Sequence, residues 1–260
     1  DKPVYLGDNP LTGTYRRNHE GDYLCDAETV KRMLAEQIEQ DRDSILLPGF
    51  NIDDLDAASF SIYKQQFKTT RPAHPWLDLE DLEFLRMIGG WTRNRDSGEE
   101  GLTLAGILMF GKLRSILDAV PNYILDYQER SKLESTSRWT DRITTDGSWS
   151  GNLFDFYRSV IKKLTNELKV PFKLKGSRRI DDTLLHEALR EALVNTLIHA
   201  DYTGRVSVMI IKWTDVFGFR NPGLMRISIE EAIVGGTSDC RNRNLQKMFQ
   251  LVGLGEQAGS

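Results

Sequence analysis

The sequence predicts an α+β fold, with a helical segment followed by an α/β sandwich whose helices cover one face of a largely antiparallel sheet. Three observations predict it. Through the first half of the chain, apolar residues recur at helical spacing. From about Pro121, short alternating runs take over, interleaved with two long amphipathic stretches. Hydrophobic residues make up 40% of the 260 residues, enough for a substantial core.

The elements follow in order. Residues 1 to about 40 show Gly7, Asn9-Pro10 and Gly13 around short β-type runs, then a helix from Asp26 to Glu39 with Asp26 as N-cap. The stretch from Pro48 to Lys112 reads as mainly helical. Leu55, Phe60, Tyr63 and Phe67 share one face, and Leu79, Leu82, Leu85 and Ile88 share another that ends at Gly89-Gly90. A polar loop is expected from Trp91 to Gly101, and a buried helix from Leu102 to Phe110. Helices joined this way admit a winged-helix-like unit, although a plain packing subdomain fits the composition better.

Strands are expected over Tyr123–Tyr127 and Ser137–Ile143, and a hairpin over Arg205–Trp213 and Val216–Phe219. Helices are expected over Asn152–Leu168, Thr183–Ala200 and Asn244–Val252. Ser228 with Glu231 reads as the capping box of a short helix closed by Gly235-Gly236.

Composition narrows the function classes. The net charge is −4, which gives no overall sign of a nucleic-acid binder. Cys25 and Cys240 lack metal-ligand spacing and read as reduced thiols. No apolar run approaches membrane-spanning length, and Asp1-Lys2-Pro3-Val4 does not resemble a signal peptide, so a cytoplasmic location without membrane contact is expected. Both ends read as cut from a longer chain.

The chemistry concentrates on the helix from Leu184 to Ala200. A wheel puts Leu185, Leu189, Ala192, Leu193, Leu197 and Ala200 on a buried stripe. Glu187, Glu191 and Asn195 rise at four-residue intervals along the opposite edge, with His199 one turn further. Asparagine is a poor residue for a helix interior, so its place here asks for a reason. A site for Mg·ATP supplies one: an asparagine oxygen can ligate Mg²⁺, and a glutamate one turn earlier can orient or deprotonate the attacking water. A solvated polar face with incidental spacing is the plainer alternative. Downstream, Asn221-Pro222-Gly223 forms a turn that lets backbone approach a ligand. The run Gly253-Leu254-Gly255-Glu256-Gln257-Ala258-Gly259-Ser260 can wrap phosphates with backbone N–H groups, or serve simply as a helix cap and loop.

The order of these pieces resembles a known group. Residues 187–202, EALREALVNTLIHADY, resemble the helix signature of the bacterial RecG-related putative regulators. Their C-terminal domain is similar to the ATPase module of gyrase, the Hsp90 chaperones, histidine kinases and MutL. The stretches LTLAGILMFGK, from Leu102, and Gly235–Gln257 also resemble this group, and residues 1–35 resemble the tail of its Schlafen/Alba-like DNA-binding domain.

The resemblance implies an ATP-binding, DNA-associated transcriptional regulator with ATP and Mg²⁺ as cofactors. Glu191 would be the catalytic base and Asn195 the Mg²⁺ ligand. His199, Asn221, Gly223, Gly255, Gly259 and Ser260 would lie around the nucleotide. It divides the chain into a DNA-binding tail over 1–40, a helical linker over 41–114 and a divergent ATPase-like sandwich with a truncated lid over 115–260. DNA, through the N-terminal domain, and a second copy of the chain are the implied partners. Asn221 stands where the superfamily has an adenine-reading aspartate, which leaves a dimerisation scaffold without nucleotide as the alternative. No Gly-x-x-x-x-Gly-Lys-Ser/Thr loop is present, so the helicase name of the group implies no motor here.

Overall fold

The computed structural model describes residues 5–7, 9–18, 21–27, 29–30, 33, 42–131, 139–166, 168, 174–175, 178–179, 184–214, 216–223 and 239–255. These fall into two compact units, one holding the described residues up to 33 and the other those from 42 onward. The first unit carries a helical turn, α1 (Pro10–Gly13), and an antiparallel hairpin of β1 (Tyr15–Asn18) and β2 (Gly21–Leu24). Asp26 caps the turn that follows, its Oδ1 accepting the Thr29 backbone N–H at 2.7 Å.

The second unit begins with helices. The helix α2 (Ala57–Thr70) starts at Asp56, whose side chain accepts from the Ser59 N–H, and buries Phe60, Tyr63 and Phe67 on one face. After it, α3 (Asp81–Ile88) stops at Gly89, which holds a left-handed φ of 93°. The segment expected as a loop is instead a hairpin, β3 (Trp91–Arg93) with β4 (Glu100–Leu102). Its six intervening residues close through the Asn94 N–H on the Glu99 carbonyl and a left-handed Gly98, a turn that the polar composition hides. The helix α4 (Leu104–Phe110) is buried at every position, as its unbroken apolar run predicts, and Thr103 caps it. A short α5 (Leu113–Ala119) follows.

The sheet runs β10-β9-β5-β6. Its strands are β5 (Leu125–Glu129), β6 (Asp141–Thr144), β9 (Val208–Lys212) and β10 (Phe217–Arg220). The outer pairs are antiparallel and β5 with β9 is parallel. A parallel pair needs a crossover, and β6, α6 (Leu153–Thr165) and α7 (Leu184–Ile198) lie within it. The small pair β7 (Leu174–Lys175) and β8 (Arg178–Arg179) also falls within it.

Strand alternation sends Leu125, Tyr127, Val208 and Ile210 into the core. Lys163 of α6 pairs with Asp141 of β6, and its carbonyl accepts from Lys212 of β9, which places α6 on that same face. On the other face, Arg142 grips the buried Asp126 with two bonds of 2.8 and 3.0 Å. Trp139 is 44% exposed, and the Arg142 guanidinium lies over its ring at 4.4 Å.

One continuous core joins the helical segment to the sandwich. The helix α8 (Arg243–Leu251) packs between them, with Leu245, Met248 and Phe249 buried. The expected capping box at Ser228 and Glu231 lies outside the described residues. Among those described, no helix is long and apolar enough to cross a membrane.

Candidate functional site

The helix α7 packs against α6, α8 and β10, not against one flat layer. Its buried arc is therefore wider than the apolar stripe read from the sequence. His186, Leu189, Leu193, Val194, Thr196, Leu197 and Ile198 are all buried. Leu185, which the wheel assigns to the stripe, is 46% exposed, and Ala192 is only half-buried. The edge left over carries the polar residues. Glu187 and Asn195 are exposed and Glu191 is half-buried. Asn195 Nδ2 donates to Glu191 Oε1 at 3.5 Å, the outer limit of a hydrogen bond. His199 is half-buried just past the helix, its backbone N–H on the Asn195 carbonyl at 3.1 Å.

The glycine segment begins against the buried flank of α7, at Val194. The Leu254 N–H bonds the Phe249 carbonyl and closes α8, with Gly253 at φ 74°. Gly255 has φ 96°, and a Cβ there would lie 3.4 Å from Val194 Cγ1. The chain thus touches α7 at the residue before Asn195. Gly259 and Ser260 lie outside the described residues.

The Asn221-Pro222-Gly223 turn is engaged elsewhere. Asn221 is exposed, but the Pro222 carbonyl accepts the Asp201 N–H at 2.8 Å. Gly223 has φ 113°, and a Cβ there would meet Asp201 Cβ at 3.1 Å and an Arg241 terminal nitrogen at 3.2 Å. Asp201 is the hub. Thr203 donates to it through hydroxyl and backbone, Arg42 reaches it at 3.2 Å and Arg241 at 3.8 Å. Burial would raise the Asp201 pKa, but the Thr203 bonds and the two arginines outweigh it and hold the carboxyl below its ordinary 3.8.

Arg241 is only 3% exposed and committed to this hub. Asn242 completes the knot by donating to the carbonyls of Ile198 and Ala200, both at 2.8 Å. Sequence inspection misses Arg42 and Asp201 because 159 residues separate them. Cys240 is a buried thiol outside any disulfide, pushed up to about 11 by burial.

Chemically, the α7 edge offers a carboxylate and an amide oxygen side by side and reachable from solvent. Mg²⁺ takes one or two protein oxygens and completes its shell with phosphates and water, so this pair fits it. Among the described residues, no cluster of three His, Cys, Asp or Glu side chains is placed to hold a metal unaided.

Helices layered on one face of a four-stranded mixed sheet make this an α+β protein. Residues 31–126 match the profile of a domain of unknown function, DUF8451. The fold is similar to the crystal structure of the DIP2311 protein from Corynebacterium diphtheriae, with a TM-score of 0.59 at 17% identity. That likeness covers 94% of this chain and 45% of the other, so the chain spans less than half of that protein's length. No curated protein matches the chain.

Proposed function

We propose that this chain is the nucleotide-binding part of a cytoplasmic, DNA-associated regulatory protein, with Mg·ATP held on the exposed edge of α7. The observation that carries the reading is a juxtaposition. Glu191 and Asn195 lie side by side on that edge, and Gly255 opens a glycine-rich segment against the same helix at Val194. Asn195 would ligate the metal, which neutralises phosphate charge when bound, and Glu191 would orient a water. DNA and a second copy of the chain remain the proposed partners.

One observation favours the alternative of a dimerisation scaffold without nucleotide. Gly223 packs on Asp201 and Arg241, so the turn expected to approach adenine is already occupied by protein. Calorimetric titration with Mg·ATP separates the two readings. The nucleotide reading expects saturable binding that Asn195→Ala weakens about tenfold or more, while Glu191→Gln binds normally and slows any turnover. Absence of binding at millimolar Mg·ATP supports the scaffold.

A further inference from the structure

A cavity of about 790 Å³ opens between the β3–β4 hairpin, the end of α3 and the start of α8. Arg86, Trp91, Arg93, Arg95, Glu100 and Asn244 line it. Glu100 bridges two of the arginines, at 2.9 Å from Arg86 and 3.6 Å from Arg93. Glu83 holds Arg86 from the other side at 2.5 Å. Arg95 pairs with no carboxylate among the described residues. The lining itself therefore carries three guanidinium groups against one carboxylate, Glu100, and the neighbouring acids Glu83, Asp96 and Glu99 are not part of it. Each guanidinium presents five N–H donors in a planar fork, more than these carboxylates consume.

We propose that this cavity binds a small phosphate-type anion through Arg86, Arg93 and Arg95, independently of the α7 edge. Glu100 holds only Arg86 and Arg93 and consumes part of their donor capacity, while Arg95 has no such carboxylate partner among the described residues. Forked guanidinium groups suit phosphate oxygens, which accept two parallel bonds. The local charge selects a small ligand over a polyanion. Between Arg93 and Glu100 the hairpin carries two arginines against Asp96, Glu99 and Glu100. A nucleic-acid backbone laid across the hairpin would meet Asp96 and Glu99, whereas an anion inside the cavity meets the arginines.

The test is calorimetric titration with sodium pyrophosphate at low ionic strength. Wild type should bind saturably, and Arg93→Ala/Arg95→Ala should weaken binding about tenfold or more. Glu100→Gln removes the competing carboxylate and should tighten binding, a gain that misfolding cannot mimic. Asn195→Ala should bind as wild type, whatever it does to Mg·ATP. Three outcomes overturn the proposal: no pyrophosphate binding at millimolar concentration, equal binding by the double arginine variant, or loss of binding in Asn195→Ala alone. A fourth is arginine-dependent binding of an oligonucleotide without binding of pyrophosphate.

Discussion

Tyr63 and Tyr157 are both buried, yet their hydroxyls meet different surroundings. The Tyr63 hydroxyl donates to the Met248 carbonyl at 2.8 Å, while the Tyr157 hydroxyl has no partner among the described residues. Burial pushes both phenols well above the ordinary 10.0, so neither ionises under ordinary conditions. Removing the first should strip a buried acceptor of its donor, whereas removing the second deletes an unsatisfied group. Tyr63→Phe is expected to cost about 1–2 kcal/mol and Tyr157→Phe to be neutral or stabilising. Urea unfolding of the two variants checks this, and equal losses would contradict it.

Asp201 gives a pH prediction on the same scale. Its folded pKa lies below the unfolded one, so its stabilising contribution is full above the unfolded value and disappears as pH falls through the folded value. Asp201→Asn should lower stability at neutral pH and flatten the acid limb of the stability–pH curve. An unchanged acid limb would show that the hub contributes nothing.

At the scale of the element, α7 sets two demands against each other. Its exposed Asn195 has poorer helix propensity than alanine and gains only one long bond to Glu191. Asn195→Ala should therefore raise the melting temperature of the ligand-free protein slightly, by about 0.5 kcal/mol in stability, while weakening Mg·ATP binding. A variant that destabilises the ligand-free protein would mean that Asn195 is structural.

The same helix shows what the sequence discloses. Its polar edge is legible because Glu187, Glu191 and Asn195 repeat at one helical interval. The limits of its buried face are not, because they depend on which neighbours arrive. Leu185 is apolar and left uncovered, while His186 beside it is covered. The β3–β4 hairpin was hidden for a related reason: three-residue strands are too short to show alternation, and their pairing is set by the Gly98 turn. Likewise, the Asp201 hub joins four separate segments of the chain, at Arg42, Asp201–Thr203, Pro222–Gly223 and Arg241, so no spacing betrays it.

At the scale of the whole second unit, the aromatic core decides how it unfolds. Phe110 of α4 meets Phe60 and Tyr63 of α2 at 5.3 and 4.9 Å, and Phe154 of α6 at 6.3 Å. Tyr63 meets Phe154 directly at 5.4 Å. The helical segment and the sandwich thus share side chains, and neither buries its apolar face without the other. Separate domains would each own a core and unfold independently, whereas a shared core makes one cooperative transition. Phe110→Leu perturbs the middle of this cluster and should cost roughly 1–2 kcal/mol. Native-state hydrogen exchange then reads how far the loss spreads. The slowest amides of α2 and those of β9, an interior strand of the sheet, should lose protection by the same amount, because both exchange through the same global opening. If β9 keeps wild-type protection while α2 loses it, the helical segment is an independently folding domain and the contacts across Phe110 and Phe154 do not couple the two halves.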